Sequence, residues 1–388
     1  MAPELPCGRP IIDLVPILTT ALAAYLLTAP PVPPVQQASG PVILYDEVLS
    51  VESLERMVKV GGRRYPIFYQ DDCDKAAKST GTIDIAALSR YVAERPGGFP
   101  SEWAVLDYEI PFDDWIREGP GSAHWKTATD SMVAAIERMK TLFPDVKWTY
   151  YGIPRLDFYL DGKSWMSSSD AARKAEIERQ FRCYEPIMAK CDWLAPSIYI
   201  VVGDRKDGGR AGDLQQRETR VWTRAIIQSA VDAGRRIGRP IPVVPFVSPV
   251  YQPGGGARNQ SFIPPAMIDE CTIRPTIEAG GSGVCIWTAG AFIVSRATAP
   301  LPAGKAPDPD MVPVLRQWSE DLGMPESALR SPDGIADLRR RFADATAGLA
   351  ERFAKAWAAR RAAAAPAPAN PEQPAAPQPA QPARPETR

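Results

Sequence analysis

Two carboxylates two residues apart, Asp107 and Glu109, close an apolar run that opens at Trp103. An apolar run of this length makes a fully buried strand. Side chains alternate faces along a strand, so Asp107 and Glu109 share a face and Tyr108 takes the other. Like charges so close raise each other's cost of ionising, which can hold one carboxyl protonated near neutral pH. A protonated acid beside an ionised carboxylate is the equipment for glycosidic bond cleavage. The same D-x-E pattern also serves simply to close strands and cap loops, so the rest of the chain has to decide.

Composition removes several competitors. The chain has 388 residues and one histidine, His124, placed at the start of an expected helix. A Ser-His-Asp hydrolase would have to use it, and a metal site built from several histidines is impossible. Carboxylate-driven hydrolysis needs no histidine. The formal net charge is −1, and there is no basic run, RNP motif or zinc-finger spacing, so nucleic acid is not an expected partner. Gly162-Lys163-Ser164 resembles the end of a phosphate-binding loop, but Asp157 occupies the place of the required upstream glycine. The six cysteines are Cys7, Cys73, Cys183, Cys191, Cys271 and Cys285, without a C-x-x-C pair. Cys183 and Cys191 are close enough in sequence to bridge, and buried free thiols are the alternative.

The elements that must position the acids alternate. Strands are expected at 42–45, 65–69, 103–109, 146–151, 193–202, 241–247 and 283–288. Helices are expected at 83–95, 122–142, 171–190, 214–236 and 264–279, the last kinked or interrupted by Pro275. Seven strands separated mostly by helix-length segments predict an α/β fold, a (β/α) TIM-like barrel spanning 41–300. Active sites of such barrels gather where strands end. Those ends carry Asp107 and Glu109, Tyr151 with the loop to Tyr159, Tyr199, Tyr251 and Trp287. Phenol and indole rings around two carboxylates suit a sugar, which stacks on aromatic faces and hydrogen-bonds to hydroxyls.

The flanks read differently. Residues 1–40 combine an apolar stretch at 11–29 with a Pro-rich linker, the pattern of a signal peptide or N-terminal anchor. This predicts an exported protein, either secreted, periplasmic or held to a membrane through that segment alone. Residues 301–364 predict C-terminal helices, over 311–322 and 333–364, packed on or beside the barrel. The Pro/Ala-rich tail 365–388 cannot bury a core and is expected to be a flexible extension.

Five motifs then occur in a recognisable order: Asp107-Tyr-Glu109, Tyr151-Gly-Ile-Pro154, Pro196-Ser-Ile-Tyr199, Pro242-Val-Val-Pro-Phe246 and Gly283-Val-Cys-Ile-Trp287. Together they resemble the hyaluronidase family, glycoside hydrolase family 56, over residues 41–295. The resemblance implies a distorted seven-stranded barrel acting on an N-acetylhexosamine polysaccharide by a retaining, substrate-assisted mechanism. It implies Glu109 as acid/base and Asp107 as the carboxylate that stabilises the acetamido group. Tyr199 and Tyr159 would line the cleavage subsite and Trp287 would form its wall. The chain departs from the family after Trp287, where Thr-Ala-Gly follows, and its cysteines do not match the animal disulfide framework. Two other readings stay open: a barrel that binds carbohydrate or a protein partner without cleaving, and a glycosidase whose nucleophile is Asp113, Asp114 or Asp157.

Overall fold

The computed structural model describes residues 40–46, 51–95, 101–160, 163–202, 213–253, 262–287 and 331–364, with 325 and 327. The apolar segment 11–29, the expected helix 311–322 and the tail 365–388 lie outside the described residues. Among the described residues no helix is long and apolar enough to cross a membrane.

The fold is α/β with parallel sheets. The strands are β1 (Val42–Tyr45), β2 (Gly62–Arg64), β3 (Ile67–Tyr69), β4 (Trp103–Asp107), β5 (Lys147–Tyr150), β6 (Tyr159–Leu160), β7 (Lys163–Ser164), β8 (Val201–Val202), β9 (Phe246–Val247), β10 (Gln252–Pro253) and β11 (Gly283–Ile286). One sheet runs β2-β1-β11-β9 and another β3-β4-β5, every pairing in both being parallel. Isolated parallel bridges, Tyr151 with Ala195, Leu194 with Val243 and Ser197 with Phe246, join the segments between. The principal helices are α1 (Val51–Lys59), α2 (Ile85–Ala93), α3 (Phe112–Arg117), α4 (Ala123–Leu142), α5 (Asp170–Met188), α6 (Asp213–Arg236), α7 (Pro265–Ile268), α8 (Arg274–Glu278) and α9 (Pro332–Ala364).

The strands expected at 193–202 and 241–247 are shorter than the apolar pattern predicts. Regular pairing there is confined to β8 and β9. The cause is proline. Pro196, Pro242 and Pro245 have no N–H to give a ladder, yet their carbonyls still accept from Phe246, Leu194 and Cys285 at 2.8–2.9 Å. The hydrogen bonds survive singly and the ladder does not. Helix boundaries follow their caps. Asp84 accepts from the amides of Ala86 and Ala87, and Ser122 from those of His124 and Trp125. Between α7 and α8 the backbone widens into a π-helical turn, Asp269–Ile273, just before Pro275, which leaves the proline without an amide partner to miss. Cys73, Cys183, Cys191, Cys271 and Cys285 are free and buried, so Cys183 and Cys191 are not bridged.

Strand alternation divides the core in two. Ile43, Ala104, Leu106, Trp148 and Tyr150 join the helix-facing cluster. Leu44, Trp103, Val105, Trp193, Val244, Phe246 and Cys285 fill the opposite face of the strands. Helix α9 packs against α1, β11 and α8, and Arg56 of α1 grips Glu351 through two hydrogen bonds of 2.8 and 2.9 Å. β1 and β11 approach so closely that a Cβ added at Gly283 would lie 1.9 Å from the Val42 carbonyl oxygen. Gly348, inside α9, has nothing within 4 Å of such an atom. Gly283→Ala is therefore expected to lose about 2 kcal/mol or more of stability, because backbone must move to admit the methyl. Gly348→Ala should gain about 0.5–1 kcal/mol. Chemical denaturation of the two variants beside the wild type checks both signs.

Candidate active site

The carboxylate pair takes its geometry from β4. Trp103 and Val105 belong to the face of the strands opposite the helix-facing cluster, and the period of two places Asp107 on it as well. Tyr108 turns the other way, is buried, and meets Phe112 edge-on at 5.7 Å. The strand ends at Asp107, so Glu109 stands exposed in the loop beyond it. A backbone hydrogen bond of 2.7 Å from the Asp113 amide to the Glu109 carbonyl closes that loop, which contains the cis Ile110–Pro111 peptide.

Asp107 is only part-exposed, and its Oδ1 is fully covered with no hydrogen-bond partner among the described residues. Burial holds its carboxyl well above the usual range, and the neighbouring charges of Glu109 and Asp113 push the same way. Asp113, in the first turn of α3, is also raised by burial, to about 6. The Arg155 guanidinium paired with it works against that rise, and Glu109 adds to it. Asp107 thus holds its proton most firmly, and Asp113 sits part-way between it and an ordinary carboxylate.

Aromatic rings form an arc on the same side. The register of β3 on β4 sets Tyr69 beside Asp107. The Tyr69 hydroxyl accepts from Trp287 Nε1 at 3.1 Å. Trp287 lies 5.6 Å from the Tyr199 ring, and Tyr199 lies 6.2 Å from Tyr151, each pair tilted by about a third of a right angle. Tyr151 closes the arc edge-on against Phe246 at 4.9 Å and donates to Ser197 Oγ at 3.3 Å. Burial keeps the hydroxyls of Tyr151 and Tyr199 protonated, with the carboxylates nearby adding to it. Rings so arranged offer apolar faces for stacking and hydroxyls for donation.

The structure brings together five of the residues singled out from the sequence: Asp107, Glu109, Tyr151, Tyr199 and Trp287. Tyr159 sits apart on the β6–β7 hairpin, exposed and edge-on to Phe158 at 4.9 Å. Tyr251 is buried with its hydroxyl 3.0 Å from the Met267 sulfur, so it packs against α7. Three residues are gained. Tyr69 ends β3 as Asp107 ends β4, and the strand-end rule would have found it. The sequence offers Asp113 only as a nucleophile. Arg155 gave no signal, because a lone arginine in a loop after Tyr151 reads as solvent-facing. Of the other nucleophile candidates, Asp157 is engaged by Arg117 at 2.7 Å and Arg179 at 3.6 Å, and Asp114 is exposed.

No family model matches this sequence, and no curated protein matches it. Among solved structures, bee venom hyaluronidase aligns at a TM-score of 0.47 with 14% identity, over 75% of this chain and 100% of that one. The same enzyme in complex with a hyaluronic acid tetramer aligns at 0.43 with 14% identity, over 73% and 97%. The endo-1,4-β-D-mannanase of Thermotoga petrophila RKU-1 aligns at 0.35 with 10% identity, over 64% and 88%.

The state of Asp107 has a consequence for stability. A carboxyl raised by folding binds its proton more tightly in the native state. Stability is then greatest below the unfolded carboxylate range, about pH 4, and is lost as pH rises towards the folded value. Asp107→Asn removes that loss. The variant should be more stable than the wild type at pH 8, by about 1 kcal/mol, the scale of a substitution that relieves a strained functional group. Its advantage should shrink towards pH 4. Thermal unfolding across that range reads the crossover.

Proposed function

We propose that this chain is an endo-acting glycoside hydrolase that cleaves an N-acetylhexosamine-containing polysaccharide with retention, the substrate's own acetamido oxygen serving as nucleophile. The observation that carries the reading is the covered, unpartnered Oδ1 of Asp107, set beside Glu109 and ringed by Tyr69, Trp287, Tyr199 and Tyr151. A buried acceptor without a donor is costly, and a ligand N–H would satisfy it. The acetamido N–H of an N-acetyl sugar is such a donor, and the aromatic arc would hold the ring that carries it.

The chemistry then runs in two halves. An acetamido N–H on Oδ1 favours the ionised form of Asp107, so the proton that the pair holds passes to Glu109, which gives it to the glycosidic oxygen while the acetamido carbonyl oxygen attacks the anomeric carbon. The glycosidic C–O bond breaks, the leaving sugar departs as an alcohol, and a cyclic oxazolinium carries the positive charge. Asp107 accepts from its N–H and stabilises that charge. The Glu109 carboxylate next takes a proton from water, whose oxygen adds to the anomeric carbon and reopens the ring. Two inversions leave the configuration retained. Glu109 suits an acid/base that must reach both leaving group and water because it is the exposed member of the pair. In the same proposal the parallel segments close into a seven-stranded barrel, and the 11–29 segment directs export.

Release of new reducing ends tests the reading. Hyaluronan, chondroitin, chitin oligomers and peptidoglycan glycan would be compared with polymers that lack N-acetyl groups. Turnover is expected on N-acetylated polymers alone, and Glu109→Gln is expected to lose at least about a hundredfold. Equal turnover of polymers without the acetamido group would remove the substrate-assisted step. Full activity in Glu109→Gln would remove its assignment.

A further inference from the structure

Glu109 is the exposed member of the acid pair, yet the chain on both sides of it is fixed. Before it, Tyr108 is buried against Phe112. After it, two consecutive carbonyls are held. The Glu109 carbonyl accepts from the Asp113 amide at 2.7 Å, and the Ile110 carbonyl accepts from Gln70 Nε2 at 2.8 Å. Pro111 follows and has no N–H, so on this side the loop is tied through its carbonyls. The first tie is local, because α3 begins there. The second crosses 40 residues of sequence. Gln70 opens a short helical turn, Gln70–Cys73, directly after Tyr69 ends β3. It is only 4% exposed, and a glutamine buried so deeply has lost rotamer freedom and must satisfy its amide. It does so on the loop that carries the acid. The Ile110 side chain is 61% exposed, so its packing does not hold the loop in place of that hydrogen bond.

We propose that Gln70 is a positioning residue for Glu109: its side-chain amide pins the loop after Glu109 to the end of β3, and so fixes where the acid stands against a sugar held by the arc. The proposal rests on the reading of Glu109 as acid/base. A proton donor works only within hydrogen-bond reach of the leaving oxygen, and a misplacement of about 1 Å can cost about a hundredfold in rate. Glu109 is exposed and takes no such precision from burial, so the backbone on either side has to supply it. The residue before Gln70 is Tyr69, whose hydroxyl accepts from Trp287 at 3.1 Å. Acid loop and arc are thus referred to one point, the end of β3. The stacking faces of Tyr151, Tyr199 and Trp287 are set by their own strands and by one another, without Gln70. Loss of the Gln70 donor should therefore fall on kcat more than on KM.

Two substitutions in the full chain separate positioning from packing. Gln70→Met keeps the length and the burial and removes the donor. Gln70→Glu keeps the shape and donates only while it is protonated. A carboxyl at that place would be raised by burial and by Asp71, Asp72 and Asp74 beside it in sequence, with Glu109 across the loop. The cations around the turn are Lys78, paired with Asp71 at 2.6 Å, and Arg95, over the Phe68 ring at 5.3 Å. On the N-acetylated polymer that the wild type cleaves, Gln70→Met should lower kcat about tenfold and leave KM within about twofold. Gln70→Glu should come nearest the wild type at about pH 5 and fall behind it towards about pH 8, where a carboxylate facing the Ile110 carbonyl repels it. Hydrogen exchange in the peptide that contains Asp113, read by mass spectrometry, should run about tenfold faster in Gln70→Met because the loop opens more often. An unchanged kcat in Gln70→Met, a loss carried by KM instead, or a ratio of Gln70→Glu to wild-type rates that stays flat with pH would overturn the proposal. Gln70→Glu in mild acid retains the hydrogen bond and decides the matter even if Gln70→Met fails to fold. Absence of hydrolysis by the wild type would instead refute the glycosidase reading, while the exchange rates would still decide whether Gln70 holds the loop.

Discussion

The site depends on a carboxyl placed where its charge is expensive. Period-two alternation fixes Trp103, Val105 and Asp107 on one face of β4, and that face is packed with Leu44, Trp193, Val244 and Phe246. Apolar rings and methyls pack beneath Asp107, and its covered oxygen finds no donor among the described residues. An isolated carboxylate in such surroundings either takes a proton or waits for a partner from outside. A strand built only for stability would carry a hydrophobic residue here. The fold accepts a local loss because the rest of the strand is sealed, and such losses concentrate where chemistry is done.

From that constraint follows a gradient of burial across three acids. Asp107 is raised by burial and by its neighbours, with no cation among the causes of its shift. Asp113 is raised by burial and partly restored by Arg155, to about 6. Glu109 stands in the open loop. The three lie within seven residues of sequence, yet depth and pairing give each a different environment. Environment sorts them, since the side chains are chemically almost alike. The tyrosine hydroxyls complete the set, because burial keeps those of Tyr151 and Tyr199 protonated, as donors.

Much of this was legible in the sequence where local physics decides. An apolar run ending in D-x-E gave the strand, the faces and the pair. The helices expected from 83 and 122 begin just after Asp84 and Ser122, whose side-chain oxygens cap the residues that follow. Pro275 marked the break before α8. The parts that depend on distant partners were not legible. Apolar runs at 193–202 and 241–247 look like unbroken strands, but their prolines leave single hydrogen bonds in place of a ladder. Tyr159 and Tyr251 follow strands as Tyr199 does, and a period of two cannot say that one hydroxyl meets a methionine sulfur while one ring lies on an outer hairpin. Arg155 and Asp113 are 42 residues apart, and only the fold makes them neighbours.

The same dependence on distant pairing sets the order in which the site can exist. Tyr69 and Trp287 hydrogen-bond across 218 residues of sequence. Trp287 is placed by β11, which lies against β1 at a spacing that only Gly283 permits, and α9 covers both β11 and α1 from outside. The acid pair needs little of this, since β3, β4 and β5 pair within a shorter stretch. The aromatic arc needs all of it. Contacts of long sequence separation form only after the entropy of closing the intervening chain has been met. The carboxylates can therefore be assembled before the aromatic arc exists. Acids and arc come together only when β11 joins β1, and a weakness at β1–β11 should be felt as loss of the arc before loss of the acids.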